Sequence, residues 1–230
     1  MITGREQVLQ KSEWTSPSNI ALVKYWGKHG NQLPSNASLS LTLRNSVTRT
    51  VLSITEAKNP VGLQFFFGGV PAPEFEPKME RFLENISDSF PFLKTCNLKI
   101  ESWNNFPHSA GIASSASSMS ALALCICDIS QKIGETKNED LFRKASEIAR
   151  IGSGSASRSV YGRFNVWGKT SLVKDSSDNW AVPLDFTSHP IFENLQDSIL
   201  IVNSARKKTS SSSGHQMMKD HPYAANRYSL

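Results

Sequence analysis

The stretch NNFPHSAGIASSASS, residues 104–118, constrains the fold more than any other part of the sequence. A phenylalanine-proline turn and a glycine lead into a run of small hydroxyl and methyl side chains, and that run continues into the apolar stretch MSALALCIC. The preceding NLKIESWNNF reads as a strand, so the whole reads strand, loop, helix. Backbone N–H groups and the helix dipole at such a junction favour an anion, and small side chains let a phosphate approach the backbone closely. The hydroxyls of Ser114, Ser115, Ser117 and Ser118 add donors and oxygen ligands of the kind Mg²⁺ takes when it bridges nucleotide phosphates. The plain alternative is a serine-rich N-cap on a helix of small residues that packs tightly against a sheet.

Periodicity supplies the rest of the architecture. Residues 39–54, LSLTLRNSVTRTVLSI, alternate with a period of two and predict strand, turn, strand. FEPKMERFLENISDSFPFL, residues 75–93, places Met79, Phe82, Leu83 and Ile86 at helical spacing with Pro91 near its end. Residues 139–151, EDLFRKASEIARI, predict a second amphipathic helix. SVYGRFNVWGKTSLV is strand-like, as is SILIVNSA at 198–205, with a proline-containing loop between them. This alternation predicts an α+β domain over residues 1–187, with a second α+β domain beginning over residues 188–230.

Composition excludes several classes of protein. Of 230 residues, 39% are hydrophobic and 20% charged, as in soluble globular chains. The longest apolar run, residues 121–127, falls far short of the ~20 residues needed to span a bilayer. The polar, charged N-terminus has no apolar signal core, which predicts a cytoplasmic location. Cys96, Cys125 and Cys127 are too few for a secreted disulfide framework, and they read as core residues. The five histidines show no metal-ligand spacing. A scattered net charge of +5 suits a small anionic ligand. No basic face interleaved with aromatics marks a nucleic-acid binder.

Two further loops repeat the phosphate-friendly chemistry. KYWGK, residues 24–28, holds two lysines and a tyrosine between expected strands. GSGSASR, residues 152–158, closes a helix and ends on an arginine, whose fork suits bidentate phosphate or carboxylate recognition. Separately these are a surface turn and a helix C-cap.

Together, PSNIALVKYWGK, LPSNASLSLTL, NNFPHSAGIASSAS and GSGSASRSVYG resemble the diphosphomevalonate decarboxylase family. That family lies within the galactokinase, homoserine kinase, mevalonate kinase and phosphomevalonate kinase superfamily. The resemblance runs from about residue 15 onward, with KYWGK and the GSGS loop specific to the decarboxylase branch. It implies a two-layer α+β sandwich with a left-handed βαβ crossover. The implied reaction uses ATP with Mg²⁺: mevalonate diphosphate is phosphorylated on its tertiary hydroxyl, then loses phosphate and carbon dioxide to give isopentenyl diphosphate.

Carried over by position, the resemblance implies substrate contacts at Tyr25, Trp26, Gly27, Lys28, Arg81, Ser153, Gly154, Ser155, Arg158 and Ser213. Lys24 falls near the reacting centre and joins Arg158 as a catalytic group. Ser109, Gly111, Ser114, Ser115 and Ser117 fall in the ATP phosphate cradle, with Ser115 on the metal. Ser157 stands where cysteine is common, and Arg163 where a small residue is usual. Residues 1–230 contain no Asp-Ala-Gly motif, so the family's aspartate for the tertiary hydroxyl is expected outside them. The substrate is the expected partner; nucleic acid and membrane are not, and a homodimer is allowed. The alternatives are a kinase of the same superfamily acting on a mevalonate-like alcohol, and a non-catalytic phosphate or nucleic-acid binding protein.

Overall fold

The computed structural model describes residues 7–57, 61–107, 111–136, 139–184, 189–192, 194–200, 214, 217 and 221–228. Its centre is a seven-stranded mixed sheet. The strands are β1 (Val8–Val23), β4 (Ser38–Glu56), β5 (Leu63–Phe67), β6 (Val70–Pro71), β7 (Cys96–Asn104), β8 (Phe164–Trp167) and β9 (Ala181–Pro183). A separate short hairpin pairs β2 (Lys28–His29) with β3 (Leu33–Pro34). The helices α1 (Glu76–Ile86), α2 (Ser114–Lys132) and α3 (Leu141–Gly152) cover the sheet, and a short α4 spans Ala224–Tyr228. The chain is thus the mixed α+β fold expected.

Strand β4 organises this sheet. One edge pairs along its length with β1, from Val8 opposite Thr55 to Val23 opposite Leu39. The other edge is shared: Ser38–Leu41 pair with β8 and Thr48–Glu56 with β7. The expected strand, turn, strand over 39–54 is therefore one continuous strand. Between Pro17 and Ser18 the register jumps from Val47 to Leu43, so residues 44–46 bulge instead of turning. Pro17 offers no N–H to the ladder at that point.

Alternation on β7 explains why one face of the sheet is dry. Cys96, Leu98, Ile100 and Ser102 point inward and are buried. On the other face Lys99 pairs with Glu101, and Arg49 stacks over Trp103 while bridging to Glu13. Helix α2 packs on β1 and β4, with α3 stacked against it. Sandwiched in this way, α2 is buried almost all round, from Ala116 to Ser130. Its small residues permit that closeness, and Ser120 hydrogen-bonds to Ser16 on β1 at 3.1 Å.

Other expectations need adjustment. The helix expected over 75–93 stops at Ile86, and Pro91 starts a separate 3-10 turn, Pro91–Lys94, because the proline ring cannot continue a helix. The expected strand SVYGRFNVWGKTSLV contracts to Phe164–Trp167, flanked by Arg163 and Gly168 at positive φ. Residues 198–200 of SILIVNSA form no regular element, and 201–205 lie outside the described residues.

Candidate active site

Three loops carry the basic and hydroxyl side chains, and the fold brings them to one end of α2. The first connects β1 to β2. Asn36 shapes it: its side-chain oxygen accepts from the Trp26 N–H at 2.8 Å, and its amide donates to the Ala37 and Lys24 carbonyls. Tyr25 is buried, its ring edge-on to Trp167 at 4.8 Å, while Lys24 is exposed. Gly27 has φ +71, a left-handed value that a side chain would strain.

The second loop leads into α2. Gly111 has φ +92, and Ala113, the residue before the helix, is itself left-handed. No side chain caps this start, and Ser18 of β1 donates to the Ile112 carbonyl to hold the loop down. Ser117 is fully buried, 2.6 Å from the Thr48 hydroxyl, so it secures the helix start to β4. Ser114, Ser115 and Ser118 instead line a cavity of about 70 Å³ together with Lys78, Phe67 and Met119. Ser109 lies outside the described residues.

The third loop is the 3-10 turn Gly154–Ser159 that follows α3. Asn19 of β1 fastens it by donating to the Ser155 carbonyl at 3.0 Å and to the Ser159 hydroxyl at 2.7 Å. Ser153 meets Ser115 at 3.3 Å, hydroxyl to hydroxyl, which joins the second and third loops. A Cβ on Gly154 would sit 2.9 Å from Trp167 and 3.3 Å from the Lys28 ammonium, so this position has room only for glycine.

Cations gather where the loops meet. The Arg158 guanidinium, 3% exposed, lies 5.4 Å from the centre of the Tyr25 ring, and the Lys28 ammonium lies 5.7 Å from the same ring. Arg158 donates through Nη1 to Ser38 at 2.5 Å, while its buried Nε has no partner among the described residues. Burial presses the Arg158 pKa down to about 10, which leaves it protonated at neutral pH. Burial, then the charges of Lys78 and Arg158, lower Lys28 to about 8. Burial also lowers Lys78, with Arg81 adding to the effect, although much of the Lys78 side chain still touches solvent. Among the described residues no carboxylate forms an ion pair with Lys28, Lys78 or Arg158. Uncompensated clustered cations repel, and an anionic ligand relieves that repulsion.

The structure thus gathers Tyr25, Lys28, Ser153, Gly154, Ser155 and Arg158, with Ser114 and Ser115 one loop away. Arg81 differs. It is exposed and donates back to the Pro77 carbonyl, whereas Lys78, one turn earlier on α1, reaches the cavity. Ser213 lies outside the described residues. Sequence reasoning passed over Asn19, Asn36, Ser38 and Lys78. The asparagines stood inside the quoted motifs PSNIALV and LPSNASLS, and asparagine in a loop is a standing signal for backbone bracing.

The family described as "Diphosphomevalonate decarboxylase-like N-terminal domain" matches residues 16–178. The diphosphomevalonate decarboxylase mvd1 of Aspergillus fumigatus is 34% identical over 230 residues, covering 94% of this chain and 55% of its own length. A crystal structure of mevalonate diphosphate decarboxylase from Staphylococcus aureus superposes with a TM-score of 0.71 at 29% identity, covering 94% of this chain and 62% of that one. A structure from Enterococcus faecalis, described as showing a mevalonate diphosphate mediated ATP binding mechanism, gives a TM-score of 0.62 at 33% identity, covering 76% and 51%. The chain therefore spans about half the length of the curated relatives it matches. With the sheet, the three loops and this match in agreement, the chain belongs to the diphosphomevalonate decarboxylase-like N-terminal domain family.

Proposed function

We propose that this chain supplies the diphosphate and nucleotide-phosphate contacts of an ATP-dependent decarboxylase acting on mevalonate diphosphate. The observation that carries this reading is the convergence of Lys28, Lys78 and Arg158 without a carboxylate partner among the described residues. A ligand with separated anionic ends satisfies such a set. The unpaired Arg158 Nε offers a further donor to the substrate's oxygens. Tyr25, Ser153 and Ser155 add polar contacts beside it, and Lys24, exposed at the loop's start, is assigned to the reacting end by the family pattern. Lys78 takes the substrate role expected of Arg81.

The start of α2 fits nucleotide phosphates: it is uncapped, glycine gives backbone access, and Ser114 and Ser115 face the cavity. Mg²⁺ supplies charge neutralisation between phosphate oxygens when bound. Ser115, whose side chain lines the cavity at the helix start, would be the hydroxyl to hold it. The overall conversion is mevalonate diphosphate plus ATP to isopentenyl diphosphate, ADP, phosphate and carbon dioxide. The residues described bind and orient the phosphates, and positioning with cationic stabilisation is the larger part of phosphoryl-transfer catalysis. In this reading residues 188–230 begin a second domain, which the end of the sheet at β9 among the described residues supports. Three buried free cysteines support a reducing, cytoplasmic setting.

The test is release of labelled carbon dioxide from carboxyl-labelled mevalonate diphosphate by the protein carrying this chain, with ATP and Mg²⁺. Stoichiometric gas and phosphate are expected. A stable phosphorylated alcohol with no gas would make it a kinase, and no consumption of either substrate would sink the reading.

A further inference from the structure

Arg150 is a buried cation outside the three loops. It sits in the last turn of α3, 5% exposed, and burial lowers its pKa although Glu147 and Asp178 pull it back up. Among the described residues no carboxylate forms an ion pair with it. Its guanidinium fork instead reaches two backbone carbonyls from two different loops. Nε donates to Asn179, in the connection between β8 and β9, at 2.9 Å, and Nη1 donates to Asn31, at the tip of the β2–β3 hairpin. Four residues earlier, Ser146 accepts from the Ala181 N–H and donates to the Ser157 carbonyl. One face of α3 therefore grips the 3-10 turn, β9 and the hairpin tip together.

The hairpin tip is strained. Gln32, next to Asn31, has φ +63, a left-handed value uncommon for a residue with a Cβ. In that conformation the Gln32 side-chain oxygen accepts from the Lys28 ammonium at 2.7 Å, and Lys28 lies against Gly154.

We propose that Arg150 is a positioning residue: by fixing the Asn31 carbonyl it holds Gln32 in its left-handed turn, and Gln32 in turn aims the Lys28 ammonium at the anion site beside Arg158. The effect on ligand binding rests on the reading of Lys28 as an anion contact; the effect on Lys28 itself does not. The ammonium has three N–H donors, so it can keep its bond to Gln32 while the other two serve a bound diphosphate.

The test uses inorganic pyrophosphate as probe and the full chain. Lys28 is followed through its side-chain ε-carbon resonance during a pH titration, with Lys78, Arg158 and Tyr25 as the charged or titratable neighbours facing it. Arg150→Lys keeps the charge but cannot reach both carbonyls, so Lys28 should leave its site and its titration should move from about 8 toward 10.5. Pyrophosphate affinity should fall about tenfold, as for the loss of one charge-assisted contact. Gln32→Ala should weaken pyrophosphate several-fold in the parent chain and have no further effect in the Arg150→Lys background. Independent effects of the two substitutions, with the Lys28 titration unmoved, would overturn the proposal. So would failure of both Arg150→Lys and Arg150→Met to fold, which would make Arg150 a residue of the fold alone. Should the parent chain not bind pyrophosphate, the functional reading fails, and the Lys28 titration still decides the positioning.

Discussion

Burial strips water from the Lys28 ammonium, and the cations of Lys78 and Arg158 push the same way, so its pKa falls from 10.5 to about 8. The consequence for stability has a definite sign. Below about pH 8 the lysine is charged in both states, and the ligand-free fold bears the full penalty. Between about 8 and 10.5 the unfolded chain binds more protons, so stability rises with pH, and above 10.5 the penalty is gone. Lys28→Met should therefore melt higher relative to the parent at pH 7 than at pH 10, as read by calorimetric scans across that range. Anion binding runs the other way, because it needs the charge: pyrophosphate affinity should weaken above about pH 8 in the parent, while Lys28→Met stays uniformly weak. Arg158 presents a second residue-scale case. Its Nη1 is committed to Ser38 and its Nε is free for a ligand among the described residues, so Arg158→Lys retains charge and loses the fork. Isothermal titration should show a loss of about 1.5–3 kcal/mol in mevalonate diphosphate binding. An unchanged affinity would take Arg158 out of the site.

Helix α2 shows how far an element can be read from its letters. Its serine-rich opening and the strand before it were legible, since small residues before an apolar run report both a close packing partner and an accessible backbone. The two roles are divided residue by residue in a way the letters do not show. Ser117 turns inward to Thr48, whereas Ser115 turns to Ser153, because the helical twist puts them on different faces. Long β4 was read as two strands, since the bulge at residues 44–46 carries the polar letters of a turn and only its pairing with β1 across Pro17 reveals continuity. Lys78 and Arg81 stand one turn apart on the same side of α1, and their letters do not show that Lys78 reaches the cavity while the Arg81 guanidinium folds back to the Pro77 carbonyl. Asn19 and Arg150 act across 136 and 119 residues of sequence, which no local pattern reports. The loop before α2 gives the element-scale prediction. At φ +92 Gly111 occupies backbone space closed to β-branched residues, so Gly111→Val must distort the approach to the helix start. ATP affinity should drop by about tenfold or more while pyrophosphate binding beside Arg158 changes little. Equal losses for both ligands would show that the loop serves the fold instead of the nucleotide.

At the scale of the molecule, the site is a place where distant parts of the chain are tied together rather than a cleft cut into one element. Strand β1 contributes Ser18 and Asn19, which reach the loop before α2 and the turn after α3; Ser115 and Ser153 close the ring between those two. Every tie is a neutral hydrogen bond, worth about 0.5–1.5 kcal/mol net, and the cations inside the ring repel one another. Repulsion among its cations costs the ligand-free ring stability, and a bound anion would remove that repulsion while linking the loops. Mass action sets the scale: at 100 times its Kd a ligand adds about 2.7 kcal/mol of stability. For a chain of about 150–250 residues that corresponds to a rise in Tm of about 5–10 °C. Saturating pyrophosphate should produce that rise. Amide hydrogen exchange should slow together in residues 18–28, 111–118 and 153–159, while the core strands β4 and β7 gain only what global stabilisation confers. Asn19→Ala cuts one tie without touching a cation. In that variant the protection should reach residues 18–23 of β1 less strongly, even at ligand saturation. Protection confined to residues 153–159 in the parent would mean that the three loops bind independently, and the ring as a mechanical unit would have to be abandoned.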